Sequence, residues 1–352
     1  MAFYLYQHYS LTALADKFQR LRREGPYFGP AEAQPFRSAD IFVSEKVVVP
    51  TYGMRIWLTQ YLAQQSAVVA NIDFPYPRNF IAEVLNRQFA GQPDYRPELF
   101  TVEVMAWRIM KIMAAAGAAD RAEMLSALTA YLQQGDERPA LRQYELALHI
   151  AGLFDQYMIY RADDLVAWRT ALPVADPERW QAALWQQLLV TSDGAPLMSP
   201  ADAFVDYLKL PAGQVRGEPD SEPVPVAVFG ASTMPPVYLD VLRQLANVTD
   251  VHFFYHNPCV EYIGDHPMRG EKVVPTELDD QEYTNKLIEN YGLLGREFSK
   301  IIQDLKGIYE EGEETAVASG QRESRDTLLT HIQDSVVQVC QSDGPVAVAP
   351  TD

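Results

Sequence analysis

The chain has 352 residues, 48% of them apolar by type, a formal net charge of −18 and only two cysteines, Cys259 and Cys340. At about 100–200 residues per domain, this length can bury two cores. It contains no run of about 18 uncharged apolar residues to span a membrane, no basic-then-apolar secretory signal in MAFYLYQHYS, and no cysteine pattern for a disulfide framework or zinc knuckle, which points to a cytosolic setting.

Residues 3–6, FYLY, read as a first strand. Leu11–Arg23 reads as an amphipathic helix with Leu11, Leu14, Phe18 and Leu21 on one face, capped by Ser10 or Thr12. A phosphate loop at such a strand–helix junction needs glycines and a Lys followed by Ser or Thr. Here no Gly precedes residue 25 and no Lys precedes residue 17, so nucleotide cannot be held in the usual way. Residues 24–40 read as a surface loop rich in Gly, Pro and small residues.

The next stretch, VVVPTYGMRIWLTQYL (residues 47–62), organises the first domain. Val47–Val49 suit a buried strand that Pro50 ends by removing a donor. Thr51, Tyr52 and Gly53 make a turn, and from Met54 the apolar residues Met54, Trp57, Leu58, Tyr61 and Leu62 fall at helical spacing, with Arg55 on the other face. Ligands of open α/β sheets sit at the carboxyl ends of strands, so this loop is either a binding site or an ordinary turn. Val68–Ile72 reads as another strand, followed by the aromatic, proline-rich bend Asp73–Arg78, whose Phe74 and Tyr76 serve packing or base stacking.

From residue 79 to 210 the pattern is helical nearly throughout, with helices expected at 79–89, 101–116, 121–134, 140–160, 163–170, 176–190 and 200–209. In LFDQYMIYR (153–161), Asp155 and Arg161 are six apart, too far for an i,i+4 pair, so they face either solvent or a groove. A linker at 211–224 leads to a strand, Val226–Phe229, a helix from Val237 and a strand, Val251–Tyr255, which together form a βαβ unit of a parallel sheet. At the loop after the first of these strands, where a helicase would place acidic residues, stand Phe229 and Gly230. His252, His256, Asp265 and His266 lack compact metal-ligand spacing. The tail, residues 271–352, has 17 acids against 7 bases and contains one helix around YGLLGREFSKIIQDL, an acidic stretch at 309–326 and an amphipathic segment at 328–339. An acidic chain that binds a nucleic-acid strand must do so through a local groove, stacking or a partner chain.

VVVPTYGMRIWLTQYL, NIDFPYPRNFI, LFDQYMIYRADDLVAW, WQAALWQQLL, VFGASTMPPVYLDVLRQL, HNPCVEYIGD and YGLLGREF together resemble, in order, the RecC family, the gamma subunits of bacterial exodeoxyribonuclease V. The resemblance implies an α/β, parallel-sheet, helicase-like fold, akin to P-loop NTPases but without their motifs. That domain would comprise residues 1–78 plus 222–345, with an all-helical insertion at 79–221. It also implies a subunit without ATPase or nuclease activity and without a cofactor. Such a subunit partners RecB-like and RecD-like motors, binds forked and single-stranded DNA in double-strand break repair, guides the 3′-ended strand and can read a Chi sequence. Carried onto this sequence, Pro50, Thr51, Tyr52, Gly53, Met54, Trp57, Tyr76, Leu153, Asp155 and Arg161 would line the strand's channel, with Arg161 contacting DNA or latching a gate through a carboxylate. Pro50, Tyr52, Ile56 and Ala82 depart from the polar or larger side chains of the best-known member, and Pro50 and Ile56 have no side-chain group with which to hydrogen-bond a base edge. The readings that compete are an AddB-like helicase-nuclease subunit, which would need a phosphate loop or an iron–sulphur cysteine set, and a protein-interaction scaffold without DNA contact.

Overall fold

The computed structural model describes residues 1–24, 44–65, 69–115, 139–171, 176–217, 224–259, 262–266, 285–304 and 328–337. The helix expected at 121–134, most of the 24–40 loop, the 309–326 stretch and Cys340 lie outside these residues. Contacts divide the chain into two compact units, one of Met1–Phe80, Gly217–Met234 and Leu245–Asp352, the other of Ile81–Arg216 and Pro235–Gln244.

The first unit is built on five parallel strands, β1 (Phe3–His8), β2 (Glu45–Val48), β3 (Ile72–Asp73), β4 (Val226–Ala231) and β5 (Val251–His256), in the order β1-β5-β4-β2-β3. VAVFGA and VHFFYH are apolar nearly throughout because β4 and β5 are covered on both faces, as internal strands of parallel sheets are. At the edge, β1 alternates, with Phe3 and Leu5 buried and Tyr4 and Tyr6 half-buried. One face of the sheet presents Val47, Val49, Ala227, Phe229 and Phe254 to α1 (Leu11–Glu24) and α2 (Tyr52–Gln65). Leu14, Phe18 and Leu21 of α1 and Leu58 and Leu62 of α2 complete that core. The opposite face carries Phe253 and Tyr255, whose rings lie 6.5 and 5.3 Å from Phe298. Each fully buried aromatic of this kind contributes about 1.5–3 kcal/mol of apolar transfer free energy. The Arg22 guanidinium donates to both oxygens of the buried Glu45 carboxylate at 2.7 and 3.1 Å, which ties α1 to the start of β2.

In the second unit α3 (Pro77–Phe89, its first turn belonging to the sheet unit) is followed by α4 (Val102–Ala115), α5 (Pro139–Tyr160), α6 (Ala162–Trp168), α7 (Asp176–Leu188) and α8 (Pro200–Lys209). Their apolar stripes meet around Trp185, which is fully buried. Arg108 donates to the Leu188 carbonyl at 2.6 Å, an acceptor that the carboxyl end of α7 leaves open, and to the Leu99 carbonyl of the preceding 3-10 turn (Pro97–Phe100) at 3.1 Å. α8 opens with a reciprocal capping box between Ser199 and Asp202, and Asp202 also accepts from Arg169. The helix between β4 and β5, α9 (Pro236–Leu245), packs mainly with this unit, where Tyr238 meets Phe204 and Gln244 donates to the Leu210 carbonyl.

Several boundaries differ from those expected: β3 is confined to Ile72–Asp73 where Val68–Ile72 reads as a strand, and α3 begins at Pro77, within the expected 73–78 bend, because proline suits a first helical turn. Helix α2 starts at Tyr52, so Tyr52 and Gly53 form its first turn instead of a separate turn; Thr51 caps it by accepting from the Met54 amide at 3.1 Å. The helix expected through YGLLGREFSKIIQDL is broken at Gly292 into α10 (Lys286–Tyr291) and α11 (Leu293–Asp304). A Cβ at Gly292 would lie 2.5 Å from the Ile288 carbonyl oxygen, so only glycine allows that closure. The last described helix is α12 (Leu328–Val337). No helix among the described residues is long and apolar enough to cross a membrane.

His252 illustrates how the sheet disposes of a titratable group. Its ring is stacked against Tyr4 and Tyr6 at centroid distances of 4.8 and 5.9 Å, with Nδ1 3.1 Å from the Tyr6 hydroxyl. Burial pushes its pKa from 6.5 down to about 3. The folded protein therefore keeps the ring neutral while the unfolded chain protonates it, so this contribution to stability is complete above pH 6.5 and is lost as pH falls towards 3. The expected slope is up to ~1.4 kcal/mol per pH unit. Urea midpoints for His252→Phe should fall less steeply between pH 6.5 and 4 than those of the parent; parallel curves would show that His252 does not set the acid limit.

Candidate nucleic-acid interface

The order of the strands fixes where the sheet opens. From β2 the chain runs outward to β3, whereas from neighbouring β4 it runs the opposite way to β5. The connections therefore diverge above the carboxyl ends of β2 and β4, and this crevice is where open α/β sheets bind ligands. Pro50–Met54 forms one wall. The other begins at Gly230, a left-handed residue with φ of 71° at a bulge in β4. A Cβ on Gly230 would lie 2.8 Å from Cε and 3.0 Å from Sδ of Met54, so glycine both adopts the conformation and lets the β4 loop approach the start of α2.

A hydrogen bond from the Val49 amide to the Pro75 carbonyl, 3.1 Å long, prolongs the pairing past β2 and holds the Phe74–Tyr76 bend beside the same edge. Pro50, Thr51, Tyr52 and Gly53 are exposed, Met54 is half-buried, and Tyr52 and Tyr76 leave 62% and 41% of their surface accessible. Trp57 differs from these. Its ring stacks on Tyr61 at 5.3 Å and on buried Phe229 at 6.3 Å, so it forms the floor behind the loop and supports it from the core. The structure adds two side chains to this edge, exposed Ile56 and Arg55, the latter with its guanidinium 5.8 Å from the centroid of the Phe74 ring. Sequence periodicity placed Arg55 only on the solvent side of α2. The signal available was the absence of acid: no Asp or Glu occurs from Lys46 to Ile72, in a chain where 47 of 352 residues are acidic.

At the end of β1, where a phosphate loop would lie, the turn is closed by its own side chains. The Ser10 amide donates to His8 Nδ1 at 2.8 Å, the Asn257 amide donates to the His8 carbonyl at 3.2 Å, and His256 Nε2 is 3.0 Å from the Tyr9 carbonyl oxygen. Burial lowers the pKa of both His8 and His256. No group of three or more His, Cys, Asp or Glu among the described residues could hold a metal ion.

Leu153, Asp155 and Arg161 belong to the helical unit. Leu153 is half-buried on α5 and Asp155 is buried. Arg161 lies between α5 and α6, at the N-cap of α6, and donates through Nε to Asp164 at 2.7 Å and through Nη2 to Glu178 at 2.8 Å. The guanidinium lies over the rings of Tyr157 and Trp168, and its hydrogen bonds to Glu178 and then Asp164 raise its pKa.

These features define an α/β protein whose open parallel sheet exposes aromatic side chains at a topological switch point, beside a single exposed carboxylate of β3, Asp73, with a separate helical unit inserted in the chain. The chain belongs to the RecC family, matching its N-terminal domain over residues 31–339. It is 28% identical over 336 residues to the RecBCD enzyme subunit RecC of Escherichia coli, covering 86% of this chain and 29% of that protein. It is also 28% identical over 249 residues to the RecC subunit of Haemophilus influenzae, covering 64% and 22%, and 29% identical over 221 residues to that of Mycolicibacterium smegmatis, covering 62% and 19%. The chain thus spans less than a third of the length of these relatives.

Proposed function

We propose that this chain is the DNA-handling, non-catalytic part of a RecBCD-type helicase-nuclease, acting in double-strand break repair and recombination with RecB-like and RecD-like subunits. The α/β unit is read as a helicase-like domain that has exchanged nucleotide binding for strand guidance, interrupted by the helical insertion. The observation that carries this reading is the coincidence of exposed Tyr52 with the crevice between β2 and β4 and of exposed Tyr76 with the adjoining β2–β3 edge. Aromatic side chains at such an edge stack on bases whatever their sequence, which suits a channel for single-stranded DNA. The self-closed turn at His8–Ser10 and the Phe229–Gly230 pair in place of acids support the non-catalytic part of the reading. Pro50 and Ile56 favour guidance over the reading of a Chi sequence at these positions.

In the helical unit, Leu153, Asp155 and Arg161 form a second proposed contact zone. With Nε and Nη2 of Arg161 held by carboxylates, Nη1 is the nitrogen left to meet a phosphate. Arg161→Ala should weaken oligonucleotide binding by about 1–3 kcal/mol. Unchanged affinity in a normally folded variant would remove Arg161 from the channel.

The test of the function itself is fluorescence anisotropy of a labelled single-stranded oligonucleotide titrated with the chain at two salt concentrations, without ATP. Binding that weakens as salt rises is expected. No binding at low salt would favour the scaffold reading.

A further inference from the structure

We infer that Arg55 is a backbone-contacting residue of the strand-binding edge, a site that grips one phosphate of a single-stranded polynucleotide irrespective of base sequence. The inference rests on the proposed strand-guiding role and assigns the electrostatic part of it. Four observations carry it. First, Arg55 is exposed on α2, one helical turn after Tyr52, and residues three apart lie on the same helix face. Second, its guanidinium is held 5.8 Å from the centroid of Phe74, two residues before exposed Tyr76, so cation and stacking platform are brought to one edge. Third, it makes no ion pair among the described residues. Arg22, Arg87, Arg96, Arg161, Arg169, Arg243 and Arg296 are paired with carboxylates, whereas the Arg55 guanidinium, like those of Arg20 and Arg216, is not, and it lies over the Phe74 ring. Fourth, the 27 residues from Lys46 to Ile72 contain two bases and no acid, with exposed Asp73 the first acid after them, while the chain as a whole carries −18.

A phosphodiester strand is repelled by most of so acidic a surface, and the cost is lower where carboxylates are sparse and a cation is present. A guanidinium offers several N–H donors in one plane and matches phosphate oxygens bidentately, which suits a phosphate better than a lysine would. The contact with Phe74 limits the conformations of the Arg55 side chain before the strand arrives, while Tyr52 and Tyr76 remain available to bases.

The test compares parent, Arg55→Gln, Arg55→Lys and a Tyr52→Ala/Tyr76→Ala variant of the full chain. Each is titrated into labelled oligothymidylate and a mixed-sequence oligonucleotide of equal length over a series of salt concentrations. Arg55→Gln keeps a stem over Phe74 and an unchanged thermal melt is expected for this exposed position. The predicted result is a roughly tenfold loss of affinity, equal for both oligonucleotides, with the slope of log K against log salt reduced by ~0.7, the value for one phosphate contact on a single strand. Arg55→Lys should retain the slope and recover part of the affinity. Unchanged affinity and slope in Arg55→Gln, with binding weakened in the tyrosine variant, would overturn the assignment of Arg55 and leave strand guidance standing. A loss confined to one oligonucleotide would also overturn it, because that is base reading. Absence of binding by the parent chain would overturn both.

Discussion

Replacing Tyr52 and Tyr76 together by alanine is expected to weaken single-stranded DNA binding by ~2–6 kcal/mol, the effect of removing two base–aromatic stacks at about 1–3 kcal/mol each. Both rings are exposed, so the loss should come with little change in folding stability. The floor of the crevice would remain, because Trp57 is held by Tyr61 and Phe229 and does not depend on either tyrosine. The effect should be nearly independent of base sequence, since every base offers a ring face. Titration of the parent and double variant against the same oligonucleotide checks it, and a change below a factor of about two would place the strand elsewhere.

The largest expected stability effect lies in the helical unit. Trp185 is fully buried, its ring centroid is 5.8 Å from that of Phe100 and 5.2 Å from that of Phe154, and its indole nitrogen donates to the Leu165 carbonyl at 3.1 Å. Trp185→Ala removes that apolar area, opens a cavity among α4, α5, α6 and α7, and leaves a buried carbonyl without its donor. The expected cost is ~3–5 kcal/mol, a large part of the ~5–15 kcal/mol that folded domains typically have. Because Phe154 stands between Leu153 and Asp155, the same substitution should loosen the segment of α5 that carries the second contact zone. Urea unfolding followed by circular dichroism measures the cost; a loss under about 1 kcal/mol would show that the helices repack around the cavity.

The helices were legible because their apolar residues repeat with the helical period. Helices α4, α5, α7 and α8 begin and end within one or two residues of the expected positions. β4 and β5 were legible for the opposite reason, as short unbroken apolar runs bounded by turns. Local chemistry was less visible. The start of α2 depended on Thr51 acting as a cap, and a Thr followed by Tyr and Gly reads equally well as a turn. The break at Gly292 depended on a carbonyl that would strike any Cβ, a contact that periodicity does not report. Long-range relations were not visible at all. The strand order, which makes Pro50–Met54 and Gly230 neighbours, arises from pairing residues about 180 apart in sequence. Arg55 meets Phe74 because β2 and β3 pair in parallel, and the Arg161–Glu178 pair joins two different helices, whereas the Arg161–Asp164 pair could be read from i,i+3 spacing. Asp155, which sequence spacing left open between solvent and a groove, is buried.

Single-stranded DNA is proposed to pass over the carboxyl edge of the sheet, from the β4–β2 crevice past the β2–β3 edge. The most direct measurement is photo-crosslinking of the chain to an oligonucleotide bearing 5-iododeoxyuridine, followed by mass spectrometry of the conjugated peptides. Crosslinks at Tyr52 and Tyr76, suppressed by unlabelled single strands and by salt, are the predicted result. Crosslinks confined to other surfaces of the chain, with none in residues 50–57 or 74–78, would contradict it.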